Sequence, residues 1–429
     1  MVEQSAVLNQ PFGRSAHWFT LLYIYTFFLA NTFLPLFGVT VLAVFYVLAY
    51  LVSSGLRFPK DMTKYLVIPA VLLVIGFSGS ADNDRYDVFK DAWYYVNSAI
   101  VLSAGYLMMR RTGRIEPLLK VFVIGGFLLA LYHLSKIAAN PWLLFETTIG
   151  QYRKETGAGY FLTFLSPSIL IFSGRYGIEV FTSKHRKFFV PVIIYVTAAS
   201  LVLSFSRTMW GAFFIIVFVM AGLFTLRRAK AILAGVVILT LIMTFSSVMS
   251  AGGRTTGTIL GKLANSLDEV ALSDYTSIGD INRNWRGYES HRAMKTYLDG
   301  NAWNLAVGHG FGKLVDLKIF MLLGKEELRY IPIMHNGYMY VLVKTGVIGL
   351  ALYLRYLYLF YKKGSAISAS EDSKDVFAGR MIVSLVIVLV FTTFVISGYF
   401  NKGALVPVML LLGHLLCYAR MRMIEGGKL

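Results

Sequence analysis

Residues 331–350 read IPIMHNGYMYVLVKTGVIGL, a polar pair, His335–Asn336, set at the mouth of an apolar run that continues to about residue 361. A helix crosses a hydrocarbon core with roughly twenty apolar residues at about 1.5 Å each, so this stretch is long enough to span a bilayer. Runs of the same kind recur at 17–35, 36–54, 63–79, 93–109, 118–138, 158–174, 188–205, 208–226, 230–250, 336–361, 376–398 and 403–420. With 56% hydrophobic and 15% charged residues, the chain carries more apolar surface than a water-soluble globule can bury. The expected fold is an all-α integral membrane protein of about twelve transmembrane helices. Residues 1–249 would hold the first nine spans, 250–334 a large loop outside the membrane with short helices, and 335–429 the last three spans.

The formal charge of +18 would suit nucleic acid, but its distribution argues against that partner. Cations collect in alternate short loops: LRFPKDMTK (56–64), RRTGR (110–114), SKHRK (183–187), RRAK (227–230), YKKG (361–364) and RMRMIEGGK (420–428). By the positive-inside rule these loops lie in the cytoplasm, together with both termini. The opposite loops fit, since GSADNDRYDVFKDAW (79–93) is rich in aspartate. MVEQSAVLNQPFGRSAHW reads as a polar leader into an uncleaved first span, because it lacks a small-residue cleavage site. A single cysteine, Cys417, excludes an intrachain disulfide and a cysteine metal cluster.

On the outer face, residues 250–334 form a loop far longer than its neighbours, and such loops are usually functional. Helical patterns in TILGKLANSLDEVAL and ESHRAMKTYLDG mark it as ordered. A second outer loop, 140–157, carries Arg153 and Lys154, and a tight outer turn, LSFSRTMWG (203–211), carries Arg207. An arginine at a membrane boundary either snorkels to headgroups or binds an anion, and its planar fork suits phosphate better than lysine does. The short turn and the hydroxyls of Ser204, Ser206 and Thr208 favour an inward guanidinium. INRNWRGYESHRAMK (281–295) places Arg283, Arg286 and Arg292 close together, either as a solvated helical face or flanking one diphosphate. GHGFG (308–312) lacks the strand and helix of a dinucleotide site and reads as a flexible turn close to a ligand.

At 100° per residue, Gly346 and Gly349 fall on the face of His335, within about 20° and 40° of its direction. Small residues let helices approach closely in lipid, so the spacing looks like a clamp that fixes the histidine's depth. Lys344 points the opposite way and reads as a structural residue that snorkels to the outer surface.

His-Asn, nine residues, then Gly-x-x-Gly resembles the pattern of the O-antigen ligase family, here His335–Asn336, Gly346 and Gly349. The SFSRT turn, an arginine upstream of a glycine-rich turn, and a large outer loop between late spans are similar to that family's other landmarks, over roughly residues 201–350. One departure is that Ser290, not tryptophan, stands four residues after Arg286, and no proline precedes Gly308, so either Arg286 or Arg292 can be the family's loop arginine.

The resemblance implies a GT-C-like enzyme of the bacterial inner membrane. Such an enzyme moves polysaccharide from undecaprenyl diphosphate to a lipid A-core acceptor at the periplasmic face. His335 would be the catalytic base, Arg207, Arg286 and Arg292 would hold the diphosphate, and Asn336, Gly346, Gly349 and Arg153 would support them. The residue types suit that chemistry. A pre-activated sugar diphosphate needs charge stabilisation, and the acceptor hydroxyl needs a base that titrates near neutrality. No acidic or histidine cluster has metal-ligand spacing, so the expectation is a metal-independent enzyme without cofactor, inverting by single displacement. A polymerase would use the same donor. A lipid-linked glycan transporter would instead show charged or broken helices lining a path at mid-membrane, whereas these spans are nearly free of acids and their polar residues gather at the outer face.

Overall fold

A computed structural model describes residues 14–425 except 35, 147–148, 158–160, 224–280, 282–283, 324–325 and 401–402. The helices are α1 (Arg14–Phe33), α2 (Leu36–Ser53), α3 (Lys60–Thr63), α4 (Val67–Ser78), α5 (Arg85–Thr112), α6 (Ile115–Ala139), α7 (Leu143–Glu146), α8 (Ile149–Thr156), α9 (Leu162–Arg175), α10 (Ser183–Leu203) and α11 (Arg207–Met220). There follow α12 (Trp285–Leu298), α13 (Ala302–Val307), a hairpin of β1 (Val315–Leu323) and β2 (Glu326–Ile331), then α14 (Gly337–Ser368), α15 (Ser373–Ile396) and α16 (Val406–Glu425). The protein is thus mostly helical, as expected, and the hairpin is a departure that the helical reading of the outer loop did not contain. The ninth expected span (230–250), the pattern TILGKLANSLDEVAL, the loop RRAK and Arg283 lie outside the described residues.

Among the described residues, six helical stretches are long and apolar enough to cross a membrane: Leu36–Ser53, Ile115–Ala139, Arg186–Leu203, Gly337–Ser368, Ser373–Ile396 and Gly403–Glu425. Three shorter apolar helices, Trp18–Phe28, Val67–Ser78 and Arg207–Met220, accompany them. Two further expected spans are helical but of another character. α5 buries Asp91, Asn97, Ser98 and Ser103, which suits a helix enclosed by protein better than one facing lipid. α9 is short, with Pro167 inside it.

At the centre, α16 packs along α5. Glycines permit it: a Cβ on Gly105 would sit 2.2 Å from the Leu410 carbonyl oxygen, and one on Gly413 would sit 2.2 Å from that of Leu102. Close approach of this kind gives van der Waals contact where lipid leaves no hydrophobic drive between helices.

The loops sort onto two ends. At one end Asp61 pairs with Arg110 at 3.8 Å and Arg420 at 3.7 Å, Glu116 with Lys374 at 3.9 Å, and Arg422 with Asp375 at 3.2 Å. The basic loops 56–64 and 110–114 therefore meet the basic C-terminal stretch there. At the other end Asn83 donates to the carbonyls of His309 (3.0 Å) and Phe311 (2.8 Å), and the Ser397 N–H donates to the His335 carbonyl at 2.5 Å. The segments with the candidate chemistry converge at this second end.

Candidate functional site

Why the α14 run begins with His-Asn follows from its first turn. The first N–H groups of any helix lack carbonyl partners. Asn336 supplies one as N-cap, accepting from the N–H of Tyr338 at 3.0 Å and of Met339 at 3.4 Å. His335 precedes the cap and is not part of the helix. Its main chain is fixed by Ser397, whose N–H holds the His335 carbonyl and whose hydroxyl donates to the Met334 carbonyl.

The imidazole is held by a residue not singled out from the sequence. Glu289, on α12, is buried, and its Oε2 lies 3.1 Å from His335 Nδ1 and accepts the His335 backbone N–H at 2.8 Å. The histidine side chain itself is 39% exposed. A carboxylate on Nδ1 selects the tautomer whose Nε2 is the lone-pair nitrogen, and Nε2 is thereby available to take a proton.

Arg286 stands one helical turn before Glu289 on α12, and three-residue spacing puts the two on one side. Burial lowers the pKa of Arg153, and the neighbouring charges of Arg207 and then Arg286 lower it further. Those three guanidiniums therefore share one field. Arg153 also builds the turn that presents Arg207, donating Nε to the Ser204 carbonyl at 3.2 Å and Nη2 to the Phe205 carbonyl. Tyr152 adds a bond to the Leu203 carbonyl at 2.7 Å, and Trp210 Nε1 one to the Leu201 carbonyl at 2.7 Å. Phe205, at φ 47°, turns the chain sharply, and Arg207 opens α11 at the end where the helix dipole is positive. The serines serve the turn: Ser204 Oγ donates to the Leu201 carbonyl at 2.7 Å and accepts the Ser206 N–H at 3.3 Å.

Arg292 is placed differently. Its Nε donates to the Asp316 carbonyl at 2.9 Å, and Tyr288 OH donates to the Leu317 carbonyl, so both fasten the hairpin to α12. The structure brings Arg153, Arg207, Arg286 and His335 to one end and ties Arg292 to β1.

Three expectations are corrected here. The glycine clamp assumed one continuous helix, but α14 is broken at Gly346, with φ 66° and ψ −169°. The 100° periodicity that put Gly346 and Gly349 on the histidine's face therefore does not apply. Gly346 is required by its positive φ, and because a Cβ there would meet the Ala306 carbonyl oxygen at 2.3 Å. GHGFG is not a flexible turn. Gly308, Gly310 and Gly312 all have positive φ, and the turn is packed into the break, where the N–H groups of His309 (2.9 Å) and Gly310 (3.2 Å) take the Val343 and Lys344 carbonyls. Lys344 does not snorkel. It is fully buried and pairs with Asp91 at 2.6 Å.

Residues 192–354 match the family model described as O-antigen ligase. Over this segment the chain is similar to the O-antigen ligase family. The matched segment contains Arg207, Arg286, Glu289, Arg292, His335, Asn336, Gly346 and Gly349, whereas Arg153 and Asp91 come from outside it. A comparison with curated proteins gives no match. Among the described residues no group of three or more His, Cys, Asp or Glu is arranged to hold a metal ion.

Proposed function

We propose that the protein is an O-antigen ligase, moving a polysaccharide from undecaprenyl diphosphate to a lipid A-core acceptor at the periplasmic face of the inner membrane. The observation that supports this most is the pairing, on one helix, of Arg286 with Glu289. Glu289 holds His335, while Arg286 shares the field of Arg153 and Arg207. An arginine cluster beside an oriented imidazole matches a reaction that needs anion stabilisation and one proton acceptor.

In that reaction the acceptor hydroxyl gives its proton to His335 Nε2 as its oxygen bonds to the anomeric carbon. The bond from that carbon to the diphosphate oxygen breaks with its electron pair, and undecaprenyl diphosphate leaves. Arg207 and Arg286 meet the charge on the leaving group with preorganised donors that need no solvent reorganisation. Glu289 stabilises the imidazolium that forms. Attack opposite the leaving group inverts the anomeric centre. Arg153 holds the Arg207 turn.

The test uses purified protein in lipid, with glycan-diphosphate-lipid donor and lipid A-core acceptor. The expected product is glycan-capped acceptor, formed by wild type and lost in His335→Ala while that variant still binds donor. Elongation of the donor without acceptor would make the enzyme a polymerase. Wild-type transfer by His335→Ala would remove the base assignment.

A further inference from the structure

We propose that the buried pair Lys344–Asp91 positions His335, making Asp91 a positioning residue of the transfer reaction; this rests on His335 being the base. Three observations lead there. The break at Gly346 cuts α14 into two pieces, so residues 337–345 are not held in register by the rest of their helix. The carbonyls of Val343 and Lys344, at the end of that piece, go instead to the N–H groups of His309 and Gly310. What grips its side is Asp91 on α5. Oδ1 accepts Tyr340 OH at 2.7 Å, and Oδ2 lies 2.6 Å from Lys344 Nζ and accepts the Gly312 N–H at 2.7 Å.

Tyr340 and Lys344 are four residues apart and so lie on one stripe of the short piece. One carboxylate therefore grips that piece at two points from α5, while the Tyr338 hydroxyl, donating to the Val390 carbonyl at 2.9 Å, and Ser397 hold its upper part from the other side. His335 and the Asn336 cap are its upper end, and whatever sets the piece sets the imidazole against Glu289. Lys344 also donates to the Lys313 carbonyl, which ties the same group to the glycine turn that Asn83 holds from the other side.

A purely stabilising role explains the pair poorly. Burying two charges in low dielectric is costly, and well-packed apolar replacements of a buried ion pair are often neutral or stabilising. The best-attested use of such a pair is to fix register. Here the register in question belongs to a severed helical piece with the candidate base at its tip.

The experiment replaces both charges together, as Asp91→Leu with Lys344→Met, so that neither is left unpaired. Two readouts are taken in lipid: kcat and KM for transfer, and the rate at which diethyl pyrocarbonate acylates His335, followed on its peptide by mass spectrometry. Glu289→Gln serves as the reference for a loosened imidazole. The double variant is expected to fold and to keep donor KM within about twofold, while kcat falls about tenfold to a hundredfold, as displacements near 1 Å do. Its His335 acylation rate should move in the direction seen for Glu289→Gln. Wild-type kcat with a wild-type acylation rate would overturn the proposal, as would lost kcat with an unchanged acylation rate. If the double variant does not fold, Lys344→Arg keeps the charge on a different geometry and is read in the same two ways. A shifted acylation rate where no preparation transfers glycan, wild type included, would keep the positioning and overturn the ligase reading.

Discussion

The turn that carries His335 and the turn that carries Arg207 are alike in outline and opposite in electrostatics. Each leads into a helix at the same end of the bundle, and each is fixed by hydrogen bonds to its backbone carbonyls, from Ser397 in one case and Arg153 in the other. The histidine is held by a carboxylate, Glu289. Arg153, in contrast, lies in the field of two further cations, Arg207 and Arg286. The first sets a carboxylate against an imidazole; the second gathers three guanidiniums, which suits an anionic ligand.

The largest effect should come from the histidine's side. His335→Ala removes the proposed base, and acid–base groups contribute about 10² to 10⁴ in rate, so initial transfer rates should fall by that factor with donor affinity kept. Equal loss of donor affinity would mean that the two turns do not divide the work. Arg207→Lys should act on the other side. It keeps charge but loses the planar fork, and about 1.5 to 3 kcal/mol for a charge-assisted contact corresponds to roughly tenfold to a hundredfold. A tritium- or fluorophore-labelled donor binding assay should show that loss. Unchanged binding would return Arg207 to snorkelling.

The same contrast marks what the sequence could reveal. The short turn of Arg207 and the two sets of loops were legible because their signals are local: a cation in a short turn and alternating charge; Asn336 stood out only through the family pattern, and its capping role came from the structure. Glu289 was not, because RGYESHR reads as a solvated helical face and nothing nearby says that a histidine 46 residues on will cover the glutamate. Asp91 sits in a stretch rich in aspartate, and Lys344 read as a snorkelling cation; only the fold brings them within 2.6 Å. The glycine argument failed for a different reason. Periodicity at 100° per residue presumes continuous helix, and Gly346 is where the helix stops being one.

That break separates the two turns further. Gly346→Ala must adopt φ 66° with ψ −169°, an essentially glycine-only backbone region, at a cost of about 1 to 3 kcal/mol, and its Cβ would also meet the Ala306 carbonyl oxygen at 2.3 Å. The expected result is a lower thermal midpoint and reduced transfer, with donor affinity kept because the arginine turn is built from other segments. Reduced donor affinity would show that the break supports both turns.

The smallest effect should come from the hairpin that Tyr288 and Arg292 fasten to the histidine's side. Bonds from Arg329 and then Lys318 hold the Asp316 carboxyl well below the usual carboxylate range. A depressed folded pKa means that the stabilisation is fully present above the unfolded value of about 3.9. It is lost only as pH falls through the lower folded value. These groups are partly exposed, with 21% of the Asp316 side chain and 62% of the Lys318 side chain accessible, so solvent screening keeps the clasp's contribution small. Asp316→Asn should therefore lower the thermal midpoint slightly, by the same amount at pH 7 and pH 5, and the gap to wild type should close only well below pH 4. A gap that is large, or that closes already between pH 7 and pH 5, would show that Asp316 does more than clasp its own hairpin, and would tie the outer loop's acid response to the histidine it supports.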